Sequence, residues 1–318
     1  VYLDADIDVL RSRLSTGGAH TFFSDNRNQI FTKLARIRIS IKHESPEEIA
    51  DKICNILKKR IINGETKIIG FMGSTYKTSK MFGLYNAAFE ALHLNFVYIP
   101  LVVTDVQKAV EGIRNLGISA VGITIPYKTE IVPFLDELDT NAQRIGAVNA
   151  IVNRNGRLFG HNTDGEGAIL ALKEQTVVQG KRVVLLGAGG VARALVFALK
   201  DNGADITILN RSGHFDTLDA LPRYIKNADI LINATSVGME PNIHASLVPK
   251  DMLRPDLVVL DVVSNPKETQ LLKDAKDAGC TIVNANRMLL WQAVLKFTVY
   301  TGVDAPFSVM ESALKEME

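Results

Sequence analysis

The sequence is poor in everything that would staple it, embed it or charge it. Only two cysteines, Cys54 and Cys280, occur in 318 residues. They are far apart with no secretory signal ahead of them, so neither a disulfide framework nor a cysteine-based zinc site is indicated, and a reducing cytoplasm is the expected location. The longest apolar runs, such as 183–186 and 257–260, are strand-length, well short of the roughly 20 residues that cross a bilayer. A soluble chain with no membrane partner follows. No sign of charge dominates: 36 Lys and Arg stand against 35 Asp and Glu, a formal charge of +1. That balance excludes the broad positive field that nucleic acid requires and points to small-molecule partners. The six histidines show no His-x-x-x-His pairing, so no metal site is expected. Repeats with periods of roughly 20 to 50 residues are also missing, which sets solenoids and propellers aside.

What is present is an alternation. Short β-branched runs at 67–71, 95–99, 120–125, 182–186, 205–209, 229–233 and 258–262 are separated by longer helical patterns, the signature of an α/β fold with mostly parallel strands. With 47% hydrophobic residues the chain can fill one large core or two smaller ones. The first 61 residues form a separate block: a strand-like 1–3, a helical 7–14, a polar gap, then an apolar 37–41. It closes on a helix announced by the capping box Ser45-Pro46-Glu47-Glu48, with Ile49, Ile53, Ile56 and Leu57 at helical spacing. The basic run Lys58-Lys59-Arg60 falls in its last turn, where cations suit the dipole. Residues 63–65 read as a linker.

The strand at 182–186 runs into Gly187-Ala188-Gly189-Gly190-Val191-Ala192 and then a helical pattern over 194–201 that ends at Gly203. This is the G-x-G-x-x-A form of a dinucleotide-binding turn. Its glycines let the backbone approach a pyrophosphate, and the amides at the helix start hold the negative charge. The next strand should end at the adenosine ribose, where an acidic residue would bind the two hydroxyls of NAD. Here it ends Asn210-Arg211-Ser212. A guanidinium suits a 2′-phosphate, so NADP is favoured, with NAD still possible.

Five further motifs carry a resemblance: Ile123-Thr124-Ile125-Pro126-Tyr127-Lys128, Ile145-Gly-Ala-Val-Asn149, Gly160-His161-Asn162-Thr163-Asp164, Asn233-Ala-Thr235-Ser236-Val-Gly-Met239, and Asp261 through Asn265-Pro266. In order and spacing, residues 66–315 resemble the shikimate dehydrogenases. The resemblance implies a two-domain α/β chain: a catalytic domain over 66–164 plus 288–318, and a Rossmann-type NADP-binding domain over 165–287. It also implies NADP-linked interconversion of 3-dehydroshikimate and shikimate in aromatic amino acid biosynthesis. Lys128 and Asp164 match the catalytic pair. Ser79, Thr124, Asn149 and Gln292 match substrate contacts, and Thr235, Ser236 and Met239 join the glycine turn as cofactor contacts. The chemistry suits the pair. Hydride transfer to a ketone leaves an alkoxide that needs a proton, and a lysine tuned by burial and a neighbouring carboxylate can give and retrieve it.

Four departures cluster around one pocket. The family's Ser-x-Ser that holds the substrate carboxylate reads Ser79-Lys80-Met81, and a thioether cannot donate a hydrogen bond. An expected Asn is Gly122, an expected Tyr is Ser264, and the glycine-rich segment beside the nicotinamide reads Asn284-Ala285-Asn286-Arg287-Met288. Lys77, Lys80 or Arg287 could replace the lost contacts. Shikimate through rearranged contacts is the first expectation. Quinate or another cyclic hydroxy acid is the second, and a ligand-sensing regulator the third. Residues 1–61 resemble the last third of a shikimate kinase, but no phosphate loop of the form G-x-x-x-x-G-K-[ST] occurs, so no kinase activity is expected. This block could be the end of a fused enzyme, consistent with Val as first residue, or an appendage packing on the dehydrogenase or forming a homodimer contact. His161 is expected to be structural, and Trp291, in a helix over 288–299, to be core.

Overall fold

The computed structural model describes residues 2–5, 38–41, 45, 47–48, 62–74, 79–211 and 215–317. The chain forms two compact units, Val1–Asn63 and Gly64–Glu318, parted at the stretch read as a linker. In the first, β1 (Tyr2–Ala5) pairs in parallel with β2 (Arg38–Ile41). The capping box forms: Ser45 N–H donates to Glu48 Oε2 at 2.6 Å, and Ser45 Oγ accepts from Glu48 N–H at 3.1 Å. The helical patterns at 7–14 and 49–57 and the basic run at 58–60 lie outside the described residues.

The second unit starts with β3 (Lys67–Gly73), α1 (Lys80–Ala91), β4 (Phe96–Val102), α2 (Val106–Asn115), β5 (Ala120–Ile123), α3 (Tyr127–Glu130), β6 (Glu137–Leu138), α4 (Thr140–Ile145), β7 (Ala150–Arg154) and β8 (Arg157–His161). Their sheet has the order β4-β3-β5-β7-β8-β6. It meets the expectation of mostly parallel strands with one exception, β7, which runs antiparallel to both β5 and β8. The hairpin turns on Asn155 and Gly156, whose φ values of 53° and 87° suit a two-residue primed turn. That dipeptide was the available signal for two strands absent from the sequence reading.

The chain continues through α5 (Asp164–Lys173), β9 (Arg182–Leu186), α6 (Gly190–Asp201), β10 (Asp205–Asn210), β11 (Asp216–Thr217), α7 (Leu221–Ile225), β12 (Ile230–Asn233), β13 (Val258–Asp261), α8 (Gln270–Asp277) and β14 (Thr281–Val283). This second sheet, β11-β10-β9-β12-β13-β14, is parallel throughout. Its central strands are apolar on both faces, as helices on both sides require. Val183, Leu185, Ile230 and Ile232 pack with Ala168 and Leu172 of α5 and Leu195 and Leu199 of α6. Val184, Leu186 and Leu231 turn the other way, onto Leu221 and Ile225 of α7 and Leu271 and Leu272 of α8.

Two helices complete the unit, α9 (Ala285–Thr301) and α10 (Phe307–Glu316). Helix α9 starts three residues before the expected 288, because Asn284 caps it by accepting from Arg287 N–H at 3.0 Å. It serves both sheets: Met288 packs with the parallel sheet's core, and Leu290, Ala293, Phe297 and Tyr300 with that of the mixed sheet. A Cβ on Gly167 of α5 would lie 2.7 Å from the Gln292 backbone nitrogen, so this glycine allows α5 and α9 to touch. Among the described residues no helix is long and apolar enough to cross a membrane.

Candidate active site

Three backbone bonds draw separate segments together at the end of β5. Ile123 N–H donates to Asn149 O at 2.9 Å, Asn149 N–H to His161 O at 2.9 Å, and Val148 N–H to Lys128 O at 2.8 Å. Thr124 begins the turn into α3, its carbonyl accepting from Tyr127 N–H at 3.0 Å, and α3 carries Lys128. Asp164 opens α5, its N–H donating to Asn162 Oδ1 at 3.0 Å. Lys128 Nζ lies 2.5 Å from Asp164 Oδ2. The other oxygen, Oδ1, accepts from Asn149 Nδ2 at 2.8 Å. Asn149 is held in turn by Thr163 N–H at 3.1 Å, and its amide lies 3.5 Å from Gln292 Oε1.

Both carboxylate oxygens are therefore occupied, and Asp164 is 3% exposed. Burial pushes its pKa up, but the Lys128 ammonium, the Lys296 charge and the Asn149 hydrogen bond outweigh that and hold it below the usual carboxylate range. The Lys128 side chain keeps 22% of its surface exposed. An oriented ammonium on an ionised carboxylate can exchange a proton with a bound molecule.

The other expected substrate contacts divide. Asn149 and Gln292 meet at the pair, whereas Ser79 is the N-cap of α1, its Oγ accepting from Met81 N–H at 3.3 Å. Met81 is 5% exposed, in the core with Leu84, Tyr85 and Phe89. It is thus packing, not a weakened anchor. Of the two described cations proposed as replacements, Arg287 is clamped by Glu174 and Glu311, while Lys80 donates one bond to Asn286 Oδ1 at 3.0 Å. Lys77 lies outside the described residues. Two tyrosine hydroxyls fill the space that a side chain at 122 would take, since a Cβ on Gly122 would lie 2.7 Å from Tyr98 Oη and 3.1 Å from Tyr300 Oη. His161 is tied to Asp139 at 3.0 Å. Trp291 packs half-buried against the parallel sheet's core, as expected, with its Nε1 donating to Glu174 Oε1 at 2.8 Å.

The sequence reading missed Lys296 and Tyr300. With Gln292 they recur every four residues, one face of a largely apolar α9. Lys296 is 3% exposed. Burial lowers its pKa to about 8, with Asp164 opposing that shift and Lys128 adding to it.

At the parallel sheet, β9 is flanked by β10 on one side and β12 on the other, so the strand order reverses at the end of β9. Gly187 sits there with φ of 105°, and a Cβ would meet Thr235 Cγ2 at 2.9 Å and Ala234 O at 3.0 Å. Ala188 follows half-buried. Helix α6 starts at Gly190 rather than 194, with Gly189 as an N-cap that makes no side-chain bond, so the amides of Gly190, Val191 and Ala192 have no capping side chain. Facing the turn, Thr235 Oγ1 donates to Asn233 Oδ1 at 2.7 Å and accepts from Val237 N–H at 3.1 Å. Asn233 donates to buried Asp261, whose carboxyl burial pushes above the usual range. Ser236 and Met239 line a surface cavity of about 500 Å³. At the end of β10, Asn210 is half-buried, and Arg211 just after it is exposed. A tight glycine turn with uncapped amides fits a dinucleotide pyrophosphate.

Residues 71–151 match the shikimate dehydrogenase substrate binding domain, and residues 164–285 the NAD(P)-binding domain of tetrahydrofolate dehydrogenase/cyclohydrolase. A shikimate dehydrogenase (NADP(+)) of Pyrococcus furiosus is 42% identical over 262 residues, covering 79% of this chain and 96% of that protein. The chain belongs to the shikimate dehydrogenase family. A crystal structure of a shikimate dehydrogenase in complex with NADP+ has a TM-score of 0.75 at 38% identity, covering 81% of this chain and 97% of the other. A ligand-free 5-ketofructose reductase of Gluconobacter has a TM-score of 0.71 at 32% identity, covering 80% and 100%. The kinase resemblance of residues 1–61 is not supported by these matches, and most of those residues lie outside the described ones.

Proposed function

We propose that this family member catalyses the reversible, NADP-dependent reduction of 3-dehydroshikimate to shikimate in aromatic amino acid biosynthesis, in the cytoplasm. The observation that carries the reading is the 2.5 Å contact between Lys128 and Asp164, flanked by Asn149 and Gln292. Residues 66–164 with 288–318 hold the substrate, and residues 165–287 hold NADP. When bound, the nicotinamide supplies the hydride in one direction and accepts it in the other.

The protein's part is position and protons. As negative charge grows on the carbonyl oxygen, Lys128 gives that oxygen a proton from Nζ, and solvent restores the proton to the partly exposed lysine. In the reverse direction the amine takes the hydroxyl proton. Ionised Asp164 holds the ammonium in line and offsets its charge. Asn149, Gln292, Thr124 and Ser79 are assigned to the substrate's hydroxyls and carboxylate. The uncapped amides of α6, with Ala188, hold the pyrophosphate. Thr235, Ser236 and Met239 border the cofactor, and Asn210 with Arg211 bind its 2′-phosphate. Shikimate is tested with NADP and with NAD at the absorbance of reduced nicotinamide, with quinate as the competing substrate and Lys128→Ala as control. Turnover fastest with shikimate and NADP is expected, and undiminished turnover by Lys128→Ala would sink the assignment.

A further inference from the structure

The proposed reaction uses one lysine of the site, and the structure buries a second. Lys296 lies one helical turn beyond Gln292 on α9 and is almost completely enclosed. Lysine is almost never fully buried unless paired. Among the described residues no carboxylate forms an ion pair with Lys296, and Asp164, the acid whose charge it feels, is already bonded to Lys128. Two cations and one anion therefore share this point, leaving one positive charge in excess. A further turn along the same face, Tyr300 is buried and its hydroxyl has no hydrogen-bond partner. That hydroxyl stands beside the backbone of Gly122, two residues before Thr124 on the strand leading to Lys128.

A buried cation without an anion and a buried donor without an acceptor each cost folding free energy. One carboxylate placed between the two groups would satisfy both. The serine-pair position cannot supply this alone, since Met81 is in the core and Ser79 caps α1. Of the other cations considered as replacements, Arg287 is held by two glutamates, and Lys80 is tied by one bond to the Asn286 amide.

We infer that Lys296 is the carboxylate anchor of the substrate pocket, with the Tyr300 hydroxyl as a second donor, so that the pocket selects a substrate carrying one negative charge. The inference rests on the dehydrogenase reading and names which end of the substrate is held and by what. A pKa of about 8 leaves Lys296 protonated at neutral pH, and a bound carboxylate raises it further. Because Lys296 shares its helix face with Gln292, the anchor also sets which ring carbon reaches Lys128.

The test compares shikimate with its neutral primary amide. Wild type, Lys296→Met and Lys296→Gln are saturated with NADPH, which cannot react with shikimate, and titrated calorimetrically with each compound. Turnover of both is then followed with NADP. Wild type is expected to bind the acid about tenfold or more tighter than the amide. In Lys296→Met that preference collapses and KM for shikimate rises about ten- to hundredfold, while kcat changes far less. Unchanged NADPH affinity certifies the folded variant, and Lys296→Gln reports the charge at nearly constant volume. A preference for the acid that survives in both variants overturns the anchor and leaves the dehydrogenase reading standing, as does equal turnover of acid and amide by wild type. Selective binding of the acid without hydride transfer overturns the dehydrogenase reading and leaves the anchor. Binding of neither compound overturns both.

Discussion

At the end of β9 the groups offered to a ligand are backbone amides, set in place by Gly187 and the uncapped start of α6. At the end of β5 they are side chains gathered from α3, from the start of α5 and from α9, together with Asn149. The backbone edge is made by one continuous stretch and tolerates change wherever glycine geometry is kept. The side-chain edge depends on distant residues meeting, so a single replacement re-aims it. Of the departures from the family pattern, Gly122 adjoins two tyrosine hydroxyls near the side-chain edge, whereas Met81 is core, and the glycine turn conforms.

The largest effect should come from the side-chain edge. Lys128→Ala is expected to lower kcat by about 10²- to 10⁴-fold, the usual share of a positioned acid–base group, while NADP affinity measured by calorimetry stays as in wild type. A loss confined to KM would mean that Lys128 only binds, and the contrast between the two edges would fail.

The same edge should cost stability, and Lys296→Met exposes that cost. Lys296 has a pKa of about 8 in the folded chain against its usual 10.5, because of burial, with Asp164 opposing and Lys128 reinforcing the shift. Between those values the unfolded chain binds more protons than the folded one, so this group's contribution makes stability rise with pH across that window, and its penalty is fully present below pH 8. The penalty is about 3 kcal/mol at neutral pH. Lys296→Met should therefore be more stable than wild type at pH 7, by denaturant unfolding, with the gap closing towards pH 10.5. Equal stabilities at every pH would show that Lys296 carries no buried charge.

The backbone edge is probed by Gly187→Val. A side chain there must adopt φ of 105° and press on Thr235 Cγ2. Strain of about 1–3 kcal/mol translates into roughly ten- to hundredfold weaker NADP binding if the turn is displaced to relieve it. Substrate-edge geometry should persist, so kcat at saturating NADP is the control. Weakened shikimate binding at saturating NADP would show that the two edges are mechanically one.

Legibility in the sequence followed the same division. The strand, glycine turn and helix over 182–203 are contiguous, and their signals are local: apolar strand, glycines, then an amphipathic repeat ending at Gly203. The structure changes only the helix start, from 194 to Gly190. The pairing of Lys128 with Asp164 was readable only because two motifs stood in family register, since nothing in either segment encodes a 2.5 Å contact. The hairpin β7–β8 was marked by Asn155-Gly156 but masked by the functional motifs on either side of it. Lys296 was invisible for a physical reason. A lysine's burial is decided by what packs over it, here α5 and the mixed sheet, and none of that is adjacent in sequence. Met81 was misjudged likewise: its chemistry suggested a lost anchor, whereas its direction makes it core.

The smallest expected effect tests the one charged side chain expected to read the cofactor at the backbone edge. Arg211 follows β10 and is exposed, so its attraction for a 2′-phosphate acts through water and is screened by salt. Arg211→Ala should weaken NADP by about tenfold or less and leave NAD unchanged, because the amides of α6 serve the pyrophosphate common to both. The wild-type preference for NADP should shrink as ionic strength rises, and the preference that remains in Arg211→Ala should be nearly independent of salt. Equal weakening of both cofactors would instead place Arg211 in the architecture of the edge, and discrimination would then have to come from Asn210 or from the backbone itself.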